Sequence, residues 1–402
     1  MERMYDALIA KHLAHYRQML FMVGPRQVGK TTLSQHAVKQ AAHSVYLNWD
    51  YEPDQLLILK GTEALLKQYA FLQIRQEKSL LTLDEIHKYK QWRNFLKGLY
   101  DKHEDLINII VTGSSQLDVF KTGGDSLMGR YFLYHIHPLS VAECIRPTLP
   151  AQIISPPQRV PEELIDHLLQ FSGFAESFLH QEVSFYNRWS GLRLEQLFLE
   201  DIRDLTRIQD IAQLKLLAHL LREQAGSLIN YVNLAKHCRV SVDTVQKWLF
   251  ALSGFYYCFL IKPWTQNITR SLLKQPKIYL WDWAFVTDVG AKYENFIAGH
   301  LLKFIHFCND AGLGQYELYF LRDKEQREVD FLVTENKKPW FLVEVKSKST
   351  HGISESLYYF QKQTGAQHAF QVVFDLPYVE KNCFDYKVPI MVPASTFLSQ
   401  LV

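Results

Sequence analysis

Five apolar runs punctuate the N-terminal part of the chain: Met19 to Val23, Ser44 to Leu47, Leu80 to Leu83, Ile107 to Thr112 and Tyr131 to Ile136. The stretches between them carry helix-like patterns. Continuous apolar strands alternating with helices are the signature of a parallel sheet covered on both faces. Residues 1–143 are therefore predicted to be an α/β core.

Pro147, Pro150, Pro156, Pro157 and Pro161 then crowd a segment of little periodicity, where each proline removes a backbone donor and fixes φ. A linker is expected near 144–162. LIDHLLQF and LEQLFLEDI follow with apolar residues at three-to-four spacing, which makes 144–210 a linker and helical lid. Three more helices are predicted at Gln213–Gln224, Tyr231–Cys238 and Ser241–Leu252. The last two flank the short turn Arg239-Val240-Ser241, and Ser241 is a suitable N-cap. Residues 211–265 thus read as winged-helix-like. Over 266–402 helix-like YENFIAGHLLKFI precedes strands YELYFL, VDFLV and WFLVEVK, then helix-like ISESLYYFQKQ and strand AFQVVF. That is a separate α/β domain.

Composition changes little in this picture but excludes several classes. With 402 residues, 48% apolar and 21% charged, the chain has the makeup of a globular protein with several folding units. The most apolar run, Phe255 to Ile261, is far short of the roughly 18–20 residues a bilayer crossing needs. The first twenty residues show no uninterrupted apolar stretch of an export signal. A cytoplasmic protein with no membrane partner is expected. Cys144, Cys238, Cys258, Cys308 and Cys383 are isolated and form no CxxC pair, which disfavours disulfides and a zinc cluster. No internal repeat is present.

The chemistry begins at Gly24-Pro25-Arg26-Gln27-Val28-Gly29-Lys30-Thr31, with Thr32 next. It fits GxxxxGK[ST] directly after an apolar strand and before a helix-like run. Glycines let backbone N–H groups wrap phosphate oxygens at a helix N-terminus. Lys30 would neutralise the β- and γ-phosphates of ATP, and the Thr31 hydroxyl would complete the shell of Mg²⁺. Asp84-Glu85 ends the apolar strand of SLLTLDEIHK. Asp84 can hold the metal or its water, and Glu85 can polarise the attacking water. A solvated acidic turn is the plainer alternative. A further strand ends at Thr112-Gly113-Ser114-Ser115, where either Thr112 or Ser114 could sense the γ-phosphate. Arg130 could reach the nucleotide of a neighbouring subunit in a homo-oligomer, or could be a structural salt-bridge residue.

Taken together, GPRQVGKTTL, LDEIHKYKQW, VTGSSQLDVF and SLMGRYFLYHIHPLSVAE resemble the prokaryotic AAA-family ATPases that carry a restriction-endonuclease-like C-terminal domain of unknown function. The resemblance spans essentially the whole chain. It implies Lys30 and Thr31 as the Walker A pair, Asp84 and Glu85 as Walker B, and Thr112 to Ser114 as the sensor region. His87 stands where many relatives have Gln, and GFAESF at 173–178 departs from their Gly-aromatic-Pro. The second sensor arginine is left open among Arg188, Arg193 and Arg203.

Two further constellations bear on partners. Between 211 and 270, Lys215, Arg222, Lys236, Arg239, Lys247, Lys262 and Arg270 oppose only Glu223 and Asp243, a formal +5 in a chain whose net charge is +2. Such local basicity fits DNA phosphates. In a winged-helix reading Ser241, Asp243, Thr244 and Lys247 face a groove while Val242, Val245, Trp248 and Leu249 pack inward; packing between domains is the alternative. In the C-terminal domain, strand period two puts Glu344 and Lys346 on one face. Asp330 and Glu344 could share a divalent ion while Lys346 activates water. Glu294 matches the extra acidic position of restriction-endonuclease-like cores. The alternative is a nuclease scaffold that only binds DNA or a protein partner.

Overall fold

All five N-terminal apolar runs are strands: β1 (Met19–Val23), β2 (Ser44–Asn48), β3 (Ser79–Asp84), β4 (Ile107–Thr112) and β5 (Tyr131–His135). They form one sheet in the order β2-β3-β4-β1-β5, every pairing parallel. β1 and β3 are buried at every position, because helices cover both faces and leave no side for polar residues. Phe21, Leu81, Leu83 and Val111 from the strands pack with Leu57, Leu65, Leu66, Phe95 and Leu96 from the helices. In a parallel sheet all carboxyl ends lie on one edge. β4 runs between β1 and β3, so that edge brings together the loop after Val23, Asp84 and Thr112.

The computed structural model describes residues 1–113, 127–203, 208–265, 275–350 and 352–402. Two compact units divide the chain, Met1–His137 and Pro138–Val402. Among the described residues no helix is long and apolar enough to cross a membrane.

The second unit begins with the short helix Val141–Ile145, and no helix or strand follows until Glu162. Helices Glu162–Phe171, Ala175–His180 and Val183–Gln196 come next, the last continuing as a π-helical turn over Leu197–Ile202. Helices Ile211–Glu223, Tyr231–Cys238 and Val242–Gly254 stand where the periodicity put them. Ser241 caps the third, with the Thr244 N–H donating to its Oγ at 3.1 Å. Val245, Trp248 and Leu249 are buried, whereas Val242 is only half-buried.

A hairpin of β6 (Cys258–Pro263) and β7 (Lys277–Leu280) follows. The apolar pattern marks no strand at 277–280. It also places a boundary at 265/266, but the hairpin belongs to a seven-stranded mixed sheet with β8 (Tyr316–Arg322), β9 (Glu328–Glu335), β10 (Lys338–Lys346), β11 (His368–Val373) and β12 (Ile390–Pro393). The order is β12-β11-β10-β9-β8-β6-β7. β6 joins it by parallel pairing of Lys262 with Tyr319. The helix Val289–Asp310, β8 to β10, the helix Glu355–Thr364 and β11 reproduce the expected αβββαβ order, to which β12 and the helix Ala394–Ser399 are added.

Candidate functional site

Gly24 to Gly29 form the loop between β1 and the helix Lys30–Gln40. Gly24 has φ +151°, and a Cβ there would lie 2.2 Å from the Ile136 carbonyl oxygen, so no side chain is tolerated. Gly29 caps the helix at φ +101°, in the region where glycine carries no steric penalty. Pro25 and Val28 are buried, while Arg26 is half-buried and Gln27 exposed. Lys30 Nζ donates to the carbonyl oxygens of Gly24 and Pro25, both at 2.8 Å. Its ammonium is therefore held over the mouth of the loop. Thr31 and Thr32 are exposed on the first turn.

Asp84 is the meeting point of three elements. Thr31 Oγ1 donates to its Oδ2 at 3.1 Å, Tyr46 from β2 donates to the same oxygen, and Thr112 from β4 donates to Oδ1. Burial, with the neighbouring Asp84 adding to it, pushes the Tyr46 phenol well above its ordinary range, so the phenol remains a donor. Ser114 lies outside the described residues.

Glu85 turns the chain at φ +55°, a left-handed conformation costing about 1–3 kcal/mol for a non-glycine residue. Its N–H donates to the Thr112 carbonyl oxygen at 3.0 Å. Its Oε2 lies 3.6 Å from Lys88 Nζ and 3.7 Å from His87 Nε2, and makes no hydrogen bond among the described residues. Burial raises the Glu85 carboxyl above the usual carboxylate range, against the pull of Lys88 and Lys30. Burial, aided by Lys88 and Lys30, holds the His87 imidazole down at about 4. His87 is thus neutral near pH 7 and offers Glu85 no charge.

A residue with no motif around it braces the loop. Arg3, 5% exposed, donates from Nη1 to the Val28 carbonyl oxygen and from Nη2 to that of His137, each at 2.8 Å. Nothing in MERMYD singles it out. Tyr46 was equally silent, one polar tip in an otherwise ordinary strand.

Arg130 occupies the other edge of the sheet. It precedes Tyr131, which pairs with Met19 at the amino end of β1, so a strand of five residues, roughly 16 Å, separates it from the loop. Its guanidinium grips Asp101 with two bonds, Nε to Oδ1 at 2.6 Å and Nη2 to Oδ2 at 3.0 Å. The salt-bridge alternative describes that geometry.

Of the three arginines considered as a second sensor, Arg193 is committed elsewhere. Nη2 lies 2.6 Å from Asp282 Oδ2, with the two side chains 11% and 2% exposed, and the guanidinium stacks 3.9 Å from the Phe174 ring. Arg188 and Arg203 are exposed.

In the second unit the structure brings Glu294, Asp330, Glu344 and Lys346 to one region and adds a residue the sequence reading missed. Lys277 Nζ, from β7, lies 2.6 Å from Glu328 Oε1, 3.0 Å from Glu294 Oε1 and 3.6 Å from Asp330 Oδ1. Tyr279 donates to Glu294 Oε1 at 2.7 Å, and the Val345 N–H to Asp330 Oδ2 at 2.8 Å. Lys346 Nζ lies 2.8 Å from Glu344 Oε1, while Glu344 Oε2 is buried without a hydrogen-bond partner among the described residues. Burial, reinforced by Asp330, pushes Glu294 and Glu344 each up to about 7. Asp330 thus has the Lys277 ammonium 3.6 Å away, and Glu344 has that of Lys346 at 2.8 Å. Among the described residues no three His, Cys, Asp or Glu side chains are grouped to hold a metal. The one clue in the sequence was a lysine opening the apolar run KIYL.

Comparison with known proteins divides the chain in three. Residues 16–145 match the model of an AAA domain. Residues 162–292 and 289–383 match two domains described as of unknown function, DUF8612 and DUF4143, so the nuclease likeness expected at the C-terminus is not carried by its match. An uncharacterized protein of Mycobacterium tuberculosis is 23% identical over 376 residues, 89% of this chain and 76% of that protein. One from Methanocaldococcus jannaschii is 24% identical over 336 residues, 78% and 72% of the two chains. Among solved structures, the Walker-type ATPase of Pyrococcus abyssi aligns with a TM-score of 0.41 and 14% identity, covering 70% of this chain and 93% of that one. AMPPCP-bound DnaA from Aquifex aeolicus aligns with a TM-score of 0.32 and 15% identity, covering 61% and 86%. The first unit is an AAA-type P-loop domain.

Proposed function

We propose that this chain binds Mg-ATP on the loop Gly24–Thr31 and hydrolyses it, and that its second unit engages a partner in response. The observation that carries this reading is the convergence on Asp84 of hydroxyls from Thr31 and Thr112, at the carboxyl edge that also holds Lys30. Thr31 and Asp84 fit a magnesium ion because a hydroxyl and a carboxylate oxygen, both hard donors, already lie 3.1 Å apart. Bound there, the ion would neutralise charge on the phosphates. Lys30 exchanges its two carbonyl partners for phosphate oxygens. Glu85 accepts a proton from the attacking water, and Thr112 holds Asp84 in place. Arg3 keeps the loop from opening.

The test is ATP binding and turnover by the purified chain and two variants. Lys30→Ala should lose tight binding, whereas Glu85→Gln should bind ATP and stall, since one contacts phosphate and the other positions water. Unchanged turnover in both variants would remove the ATPase reading.

For the partner, DNA is supported by the Ser241-capped helix Val242–Gly254 and the exposed Lys236, Arg239 and Lys247 around it. A basic surface on such a helix pair suits the phosphate backbone.

A further inference from the structure

The carboxylate cluster of the second unit is the least ordinary electrostatic arrangement in the chain. Lys277 is 3% exposed and has three carboxylates within 3.6 Å of its Nζ. A buried ammonium is tolerated only when paired in this way. Arg322 serves the outer oxygen of Glu328 at 2.9 Å, and Lys346 serves Glu344. Each acidic side chain has at least one cationic or hydrogen-bonding partner from the chain itself.

We propose that the Lys277 ammonium is the resident counter-ion of this cluster, standing where a divalent cation would otherwise bind, so that Asp330 and Glu344 do not take a metal. A cation of two charges placed between Asp330 and Glu344 would face Lys277 at close range in a buried setting, where like charges repel strongly. The covalent tether gives Lys277 an advantage that no free ion shares, because its entropy of localisation is already met by the fold. It also has an architectural consequence. Lys277 belongs to the segment matched as 162–292, whereas Glu294, Glu328 and Asp330 belong to that matched as 289–383. The ion cluster therefore fastens the β6–β7 hairpin to the sheet.

The experiment is a Mn²⁺ titration of the full chain without nucleotide, read by the electron paramagnetic resonance signal of free Mn²⁺. Dependence on Asp330 separates Mn²⁺ held in the second unit from any held by Thr31 and Asp84 in the first. With Lys277 present, no bound Mn²⁺ that depends on Asp330 is expected up to millimolar metal. Lys277→Met should gain one site, at least tenfold tighter than any weak binding in the parent, and adding Asp330→Asn should abolish it. Lys277→Arg keeps the charge and should gain nothing. Mn²⁺ bound with Lys277 present and lost on Asp330→Asn would overturn the proposal. So would a folded Lys277→Met chain that gains no site. If Lys277→Met does not fold, the comparison of the parent with Asp330→Asn still decides. The ATPase reading is separate, since it rests on turnover lost in Lys30→Ala.

Discussion

Thr31 Oγ1 donates to Asp84 Oδ2 at 3.1 Å across 53 residues of chain, so the two Walker segments are already engaged through a side-chain hydrogen bond. The contact exists because β4 alone separates β1 from β3 and all three strands point the same way. Tyr46 donates to the same Asp84 oxygen from the neighbouring strand β2.

Removing that phenol leaves a buried carboxylate with two donors in place of three. Tyr46→Phe should destabilise the first unit by about 1.5–3 kcal/mol, the range for a hydrogen bond to a charged group. Urea unfolding of variant and parent, followed by tryptophan fluorescence, measures it. An unchanged midpoint would mean that the phenol contributes nothing there.

The raised pKa of Glu85 has a direct kinetic consequence. A base must be ionised to accept a proton, so turnover should rise with pH along a limb whose midpoint lies above 4.5, the ordinary glutamate value. Glu85→Gln should remove that limb and leave a rate lower by roughly 10²–10⁴. The sign for stability runs the other way. A carboxyl with a raised folded pKa keeps its proton longer in the native state, so its contribution is lost as pH rises from 4.5 through the folded value.

Arg193 should behave as a structural residue. Arg193→Ala strands the buried Asp282 and should cost the second unit roughly 3–5 kcal/mol, the usual penalty for an unpaired buried charge. ATP affinity of the folded fraction should stay within twofold of the parent. Calorimetric unfolding together with nucleotide titration separates this from a sensor arginine, whose loss would weaken ATP binding and spare stability.

If the basic helices contact DNA, binding of a mixed-sequence duplex must weaken with salt. Lys236→Ala, Arg239→Ala and Lys247→Ala should each reduce the slope of log affinity against log salt by about 1. Fluorescence anisotropy at several ionic strengths reads this. A slope unaffected by all three would place DNA elsewhere or nowhere.

The sequence by itself determined what adjacent residues encode. The loop Gly24–Thr31, the acidic end of β3 and the five N-terminal strands were legible because backbone conformation and apolar patterning are local properties. The Ser241 cap was legible for the same reason, since it acts on a backbone group three residues away. Tertiary structure alone decided who meets whom. Arg3 reaches Val28 and His137, Arg130 pairs with Asp101, Arg193 turns to Asp282, and Lys277 enters the carboxylates of Glu294, Glu328 and Asp330. None of these pairings has a spacing rule, because each depends on how strands and helices far apart in the chain are brought side by side. The strand β7 was missed for a related reason. Four residues carry too little pattern to announce a strand, and it is its pairing with β6 that makes it one.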